Sequence, residues 1–356
     1  MPGPSGARAA ATAAARIAVA GAGLIGQAHI RRIQDDTGAQ LAAIIDPSPA
    51  ARTLATALDV PHFDDLADAL QATRPDGVVI ATPNQMHVPH GLAAVEAGVP
   101  MLLEKPVSTD LASALRLVAA AEAAGVPILV GHHRRHSPLM QRAHDAVASG
   151  SLGRIVAATG LCLFRKPQAY FEGPGAWRRG PGGGVVLINL VHVIDDMRNL
   201  CGEVAAVQAV TSSAVRGFAV EDTAAILLHF ASGALGTLTA SDAAASPWSW
   251  EMTSGEDKAF PRTDQSCYLV AGTQGSLSVP RLDTWRHGGD GWWTPLQAVR
   301  EVGPDQDPLT LQMRHFVQVI RREAAPLLDG RGGTRTLAAT LAVAEAARTG
   351  GIVRLD

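Results

Sequence analysis

Arg16-Ile17-Ala18-Val19-Ala20-Gly21-Ala22-Gly23-Leu24-Ile25-Gly26 is the stretch on which the fold turns. Five residues of strand character run into three glycines, and a helical pattern then continues from Leu24 to about Ile33. This is the dinucleotide fingerprint in its required context of strand, glycine turn and helix. The first glycine makes the tight turn, the second lets backbone approach a pyrophosphate, and the third lets helix and strand pack closely. The helix N-terminus offers N–H groups and the positive end of its dipole to phosphates. A second strand, Leu41 to Ile45, ends in Asp46, 20 residues after Gly26 (46 − 26). A carboxylate there bonds the adenine-side ribose hydroxyls and repels a 2′-phosphate, so NAD is expected over NADP. The bland reading of Asp46 is a helix cap before Pro47.

Outward from this stretch the βα alternation continues. Ala50 to Leu58 and Asp64 to Ala72 read as helices, and Gly77 to Ala81 as an apolar strand. The strand ends in Thr82-Pro83-Asn84-Gln85-Met86-His87, on the side of the sheet where ligands bind. His87 either lines the nicotinamide side or caps the helix from Val88 to Ala97. Met101-Leu102-Leu103-Glu104-Lys105-Pro106 reads as a short buried strand stopped by proline, delivering a lysine to the same end of the sheet. A strand-end salt bridge is the bland alternative for Lys105. A helix from Asp110 to Ala124 and a strand from Pro127 to Gly131 complete six strands in a doubly wound parallel sheet.

The composition suits two ordinary domains: 356 residues, 47% of them hydrophobic. A net charge of −3 leaves no basic footprint for nucleic acid or an anionic membrane, and no apolar run is long enough to span one. Cys162, Cys201 and Cys267 are scattered, which argues against a disulfide scaffold and for a reducing cytoplasm. Residues 1–15, rich in Ala and free of acids, read as a disordered tail; a transit peptide is the weaker reading. The expected division is tail 1–15, nucleotide-binding domain 16–131, and a second α/β domain 132–356.

After Gly131 the rhythm changes. His132, His133 and His136 cluster with Arg134 and Arg135, yet adjacent histidines on a strand or helix face opposite ways, so no metal site is expected. Ile155 to Phe164, Glu203 to Val215, Thr223 to Phe230 and Ala234 to Ala240 read as strands of a mostly antiparallel sheet. Leu309 to Arg322 and Thr334 to Arg348 read as late helices. Gly182-Gly183-Gly184 leads into an apolar helix interrupted by Asn189, His192, Asp195 and Asp196. Spacings of three put Asn189, His192 and an aspartate near one face. His192 is either a proton carrier or a core histidine satisfied by Asp196 four residues on. Oxidation of an alcohol needs a base for the hydroxyl proton and a cation for the developing alkoxide, which Lys105 and His192 could supply.

The Gly21–Gly26 fingerprint, Thr82-Pro83-Asn84 with His87, Glu104-Lys105-Pro106 and the glycine run before His192 resemble the Gfo/Idh/MocA oxidoreductase family over nearly the whole chain. The resemblance implies an N-terminal Rossmann domain, a C-terminal α/β domain with a large open sheet, and NAD(P)-linked chemistry on sugars, polyols and related rings. It implies that Lys105 contacts nicotinamide ribose and the reacting oxygen, that the peptide before Pro106 is often cis, and that His192 is the acid/base. Many members carry an aspartate four residues before that histidine; this chain has Ile188 there. The stretch from Phe164 to Tyr170 and Trp177-Arg178-Arg179 corresponds to the family's substrate pocket, and the arginines beside an aromatic could hold a carboxylate.

The candidate cofactor contacts are thus Gly21, Gly23, Leu24, Ile25, Gly26, Asp46, Thr82, Pro83, Asn84, His87, Glu104 and Lys105. The candidate substrate contacts are Lys105, Tyr170, Trp177, Arg178, Asn189 and His192. The expected activity is NAD(H)-dependent oxidation of a secondary alcohol of a sugar, polyol or cyclic diol. The alternatives are a dehydrogenase of a carboxylated cyclic substrate and a regulator that senses NAD(H) without turnover. A homodimer or homotetramer is expected, because the strands from Glu203 to Ala240 are apolar and the helices after them too few to cover both faces.

Overall fold

The computed structural model describes residues 13–289 and 291–355. Residues 1–12 of the expected tail lie outside the described residues. Its last residue does not belong to a tail: Ala15 opens the first strand and donates from its backbone N–H to Gly38 O (2.8 Å).

The chain divides into two compact units. The first holds the residues up to Glu104 with Ala119–Leu129 and Met313–Pro326, and the second holds Lys105–Val118, Val130–Gln312 and the residues from Leu327 onward. The single cut expected after Gly131 therefore becomes several crossings. One reason is packing: Met313, Phe316, Val317 and Val319, late in the chain, join the buried cluster of the first unit with Ile17, Val19, Ile44 and Leu102. The amphipathic spacing of that helix, Pro308–Ile320, was readable, but not which sheet it covers.

The first sheet contains β1 (Ala15–Ala20), β2 (Ala39–Ile45), β3 (His62–Phe63), β4 (Gly77–Ile80), β5 (Met101–Leu103) and β6 (Ile128–Val130), ordered β3-β2-β1-β4-β5-β6. β1 pairs in parallel with both β2 and β4. The strand order reverses there, so the crevice beyond the carboxyl ends of β1 and β4 is the place where such sheets take ligands. Ile17, Val19, Val79, Ile80, Leu102 and Leu103 are fully buried, as strands covered on both faces require. The two-residue β3 is too short to leave an alternation in the sequence.

The second sheet contains β7 (Ile155–Leu163), β8 (Val204–Ser212), β9 (Thr223–Phe230), β10 (Leu235–Ser241), β11 (Tyr268–Gly272), β12 (Ser276–Val279), β13 (Asp283–His287), β14 (Leu296–Arg300) and β15 (Val353–Arg354). Their order is β14-β13-β12-β11-β7-β10-β9-β8-β15, with β7–β10 parallel and the other resolved pairs antiparallel. Four of the nine strands were anticipated. β14 is exposed along its whole length, so no buried face stamps a period on its residues. Helices Val191–Cys201 and Gly330–Thr349 pack on one face, where Val193, Ile194, Leu200, Val343 and Ala346 join Ile226, Leu228 and Leu238. The other face leaves Leu227, Leu235 and Leu269 about half exposed.

The stretch after the glycine run is not one regular helix. Gly184 sits at φ +82°, a conformation that side-chain-bearing residues rarely adopt, and a Cβ there would push on the Glu221 carboxylate 2.3 Å away. The next turn, Val186–Leu190, is a π-helical turn, and the α-helix begins at Val191. Such turns alter the direction of side chains around them and recur at functional sites.

Candidate functional site

In the first unit the glycine turn is built by close backbone approach. Gly21 has φ +92°, and a Cβ on it would lie 2.4 Å from Ala81 O. A Cβ on Gly26 would lie 1.9 Å from Gly21 O, whereas one on Gly23 meets nothing within 4 Å. Gly21 and Gly26 thus close the turn, and Gly23 leaves its outer surface open. The helix Leu24–Asp35 starts immediately afterwards with no side-chain cap on its first N–H groups. Leu24 is exposed and Ile25 half-buried beside those donors.

Asp46 follows β2 directly. Its carboxylate accepts from Ala22 N (2.9 Å) and Ser48 N (2.9 Å). Burial pushes its pKa up, but the hydrogen bonds from Ala22 and Ser48 outweigh this and hold it below the usual value, so it is an anion at neutral pH. The cap of the next helix is Ser48, whose Oγ accepts from Ala51 N (3.3 Å), so the bland reading of Asp46 as the cap does not hold. At the end of β4, Thr82 Oγ1 lies 3.2 Å from His90 Nδ1, and the buried His87 donates from Nε2 to Thr82 O (2.9 Å). Pro83 and Asn84 form the exposed and half-buried turn between them. Glu104 follows β5 directly. Its buried carboxylate accepts from His29 Nε2 (2.8 Å), tying the end of β5 to the helix that follows the glycines.

In the second unit Lys105, in a cis peptide with Pro106, donates from Nζ to Ile188 O (3.3 Å). That carbonyl is four residues before His192. His192 is 9% exposed, and its Nδ1 is buried with no hydrogen-bond partner. The rings of His132 and His133 stand edge-on to it, with centroids 5.7 and 5.3 Å away. Burial first, then Lys105, Arg134, His133 and His132, hold its pKa well below the usual histidine value. A neutral imidazole is a proton acceptor at neutral pH.

The reading of His192 as a core histidine satisfied by Asp196 fails. Asp196 accepts from Arg134 Nη1 (3.0 Å) and from the Tyr268 hydroxyl (2.7 Å). Asp195 is likewise held by Arg135 Nε (2.7 Å) and by the Thr336 hydroxyl (2.8 Å). Both aspartates thus face arginines. Asn189 accepts from Lys166 Nζ instead. Burial pulls Lys166 down to a pKa of about 8. Its ammonium lies 4.7 Å from the centroid of the Tyr170 ring, and the Arg178 guanidinium lies 4.1 Å from the same ring. Trp177 is 53% exposed, with Arg178 5.0 Å from its ring centroid.

His132, His133 and Lys166 join these residues without having been singled out as contacts, although Lys166 lies in the Phe164–Tyr170 stretch expected at the substrate pocket. The two histidines are not on a strand or helix: His133–His136 is a 3-10 turn, so the alternation argument does not apply and both rings reach His192. A signal was present, since both residues follow the carboxyl end of β6 as Lys105 follows β5, and Lys166 follows β7. Among the described residues no group of three or more His, Cys, Asp or Glu is arranged to hold a metal ion.

Two stretches of the chain match known families. Residues 15–132 match the oxidoreductase family with an NAD-binding Rossmann fold, and residues 140–278 match the GFO/IDH/MocA C-terminal domain. D-apiose dehydrogenase of Paraburkholderia graminis is 30% identical over 351 residues, 95% of this chain and 89% of that protein. Inositol 2-dehydrogenase of Corynebacterium glutamicum is 42% identical over 151 residues, 41% of this chain; the match spans only 44% of that relative's length. The WlbA dehydrogenase of Bordetella pertussis, solved with NADH and UDP-GlcNAcA, superposes with a TM-score of 0.79 at 26% identity. That match covers 96% of this chain and 99% of WlbA. With relatives matched over nearly its full length, and with both family domains present in order, the chain belongs to the GFO/IDH/MocA oxidoreductase family.

Proposed function

We propose that the chain is an NAD(H)-dependent dehydrogenase that oxidises a secondary alcohol of a sugar or polyol. The observation that carries the reading is the bond from Lys105 Nζ to Ile188 O, which ties a strand-end cation to the turn leading into a neutral, buried His192. The apiose and inositol dehydrogenases among the relatives support the substrate class.

The glycine turn fits a dinucleotide: Gly23 leaves open space, the helix start at Leu24 offers uncapped N–H groups, and Asp46 is an anion for ribose hydroxyls. Bound NAD would supply the acceptor for the hydride that leaves the alcohol carbon. His192, neutral before the step, takes the hydroxyl proton. The Lys105 ammonium stabilises the negative charge that grows on the oxygen. Arg134 and the two neighbouring histidines disfavour a standing imidazolium, so His192 must pass its proton on before the next turnover. A panel of sugars and polyols followed at the NADH absorbance tests this; tight NADH binding with no turnover on any of them would sink it.

The same reading extends to assembly and compartment. We take the open face of the second sheet, with Leu227, Leu235 and Leu269 exposed, as the surface a second copy covers. Light scattering at micromolar concentration should give a dimer or tetramer, and Leu227→Asp should shift it toward monomer. Three buried free thiols, Cys162, Cys201 and Cys267, suit a reducing cytoplasm. Among the described residues no helix is long and apolar enough to cross a membrane.

A further inference from the structure

Two cations of the second unit are missing a counter-charge. Lys166 is 5% exposed, and its ammonium donates to a neutral acceptor, Asn189 Oδ1. Arg178, half-buried, donates to a neutral acceptor as well, Tyr170 O (3.0 Å). Both sit against the Tyr170 ring, at 4.7 and 4.1 Å from its centroid. Among the described residues neither forms an ion pair. The acids in their surroundings are already bonded elsewhere: Asp242 to Arg216 and Glu251 to Arg134. The Cys162 thiol and the Tyr170 hydroxyl, further titratable neighbours, are both pushed up by burial and stay neutral, and Arg216 adds another cation bonded to the Lys166 carbonyl.

Holding a buried ammonium beside a half-buried guanidinium is costly without an opposite charge. The cluster also holds an unmet donor, since Arg178 Nε is buried with no hydrogen-bond partner. Because Asn189 Oδ1 accepts from Lys166, its amide nitrogen is left as a donor. A ligand that completes this cluster must be an acceptor and an anion, and a planar two-oxygen group matches the guanidinium fork.

We infer that Lys166 and Arg178 form a subsite for a carboxylate carried by the substrate, so that the substrate is a sugar acid or a polyol acid in place of a neutral sugar. The inference rests on the dehydrogenase reading for the reaction but not for the binding. Lys166 is a specificity-determining residue, with Tyr170 as the shared platform and Asn189 as the group that orients its ammonium.

The test is calorimetry on the NADH-loaded protein at pH 7 with pairs that differ only at the terminal carbon. D-Glucuronate is set against D-glucose, D-galacturonate against D-galactose, and D-glucose 6-phosphate is the phosphate control. Each uronate should bind about 10- to 100-fold tighter than its neutral partner, the span expected for charge-assisted hydrogen bonds. Lys166→Gln and Arg178→Gln should each bring the ratio toward one, and Lys166→Arg should keep most of it. The preference should fade as the pH rises past about 8, where Lys166 loses its charge. A ratio near one in the unmodified protein, or no binding of either uronate, overturns the inference. Tighter binding of the sugar phosphate than of glucuronate overturns the assignment to a carboxylate. Turnover is read separately: a uronate preference with no NADH formation on any sugar, polyol or acid would remove the dehydrogenase reading and leave the subsite standing.

Discussion

In the first unit, residues 21–46 supply the glycine turn, the helix start and the ribose carboxylate, and most of their work is done by backbone. In the second, Lys105, His132, His133, Lys166, Asn189 and His192 come from segments as far as 87 positions apart (192 − 105), and the work is done by side chains. The difference has consequences for mutation. A site made of backbone is sensitive where a Cβ cannot fit, as at Gly26, and tolerant elsewhere. A site made of gathered side chains depends on each one and on the burial that tunes it.

The sharpest contrast comes from the second unit. His192→Ala should lower turnover by about 10²–10⁴-fold, the usual contribution of a positioned acid/base, with NADH affinity nearly unchanged. Lys105→Met should cost at least as much, because the growing alkoxide charge loses its partner. Steady-state kinetics together with an NADH titration separate the two effects. Near-full activity in His192→Ala would break the comparison and move the acid/base role to His87, His133 or Tyr170.

The matching change in the first unit should do the reverse. Asp46→Ala should weaken NAD by about 10- to 100-fold, as expected for lost hydrogen bonds to a charged group, while NADP loses less. Its backbone partners Ala22 and Ser48 also lose their acceptor, so a modest fall in melting temperature should accompany it. A wild-type preference for NADP would refute the role given to Asp46.

pH sharpens the comparison further. The folded pKa of His192 is held below its ordinary value, so the unfolded chain takes up a proton first as pH falls. The stability His192 contributes is therefore present above about pH 6.5 and lost as pH drops through the ordinary histidine range. Turnover in the oxidative direction should rise with pH on the acid side and level off before neutrality, since the base is already neutral there. A rise continuing through pH 7–8 in the wild type would point to a different base. His192→Ala should flatten only the part of the stability curve that falls just below pH 6.5, read by thermal melts across pH.

The smallest effects test the turn before His192. Asn189→Ala should lower activity by less than about tenfold, because it orients Lys166 and touches no proton in flight. Ile188→Asp distinguishes two histories of the pocket. Higher activity on neutral polyols would show that the family's aspartate had simply been lost, and abolished activity would show that the apolar residue shapes a different pocket.

The parallel sheet, the glycine turn, the Asp46 position and the strand-end Lys105 were all legible in the chain, because each is a local pattern: a period, a turn with one permitted residue, or a polar residue after an apolar run. The exposed strand β14 and the two-residue β3 left no such period. Partnership was not legible either. Spacing suggested Asp196 for His192, but arginines from the turn after β6 claim both aspartates and leave the histidine neutral among other rings. The sequence put Lys166 in the stretch expected at the substrate pocket, but not its burial on Tyr170 beside Arg178. The sequence by itself determined the folding pattern and the residue types on hand. Only tertiary structure decided the charge state of His192 and which cations lack a partner, because both depend on desolvation and on neighbours brought from distant segments.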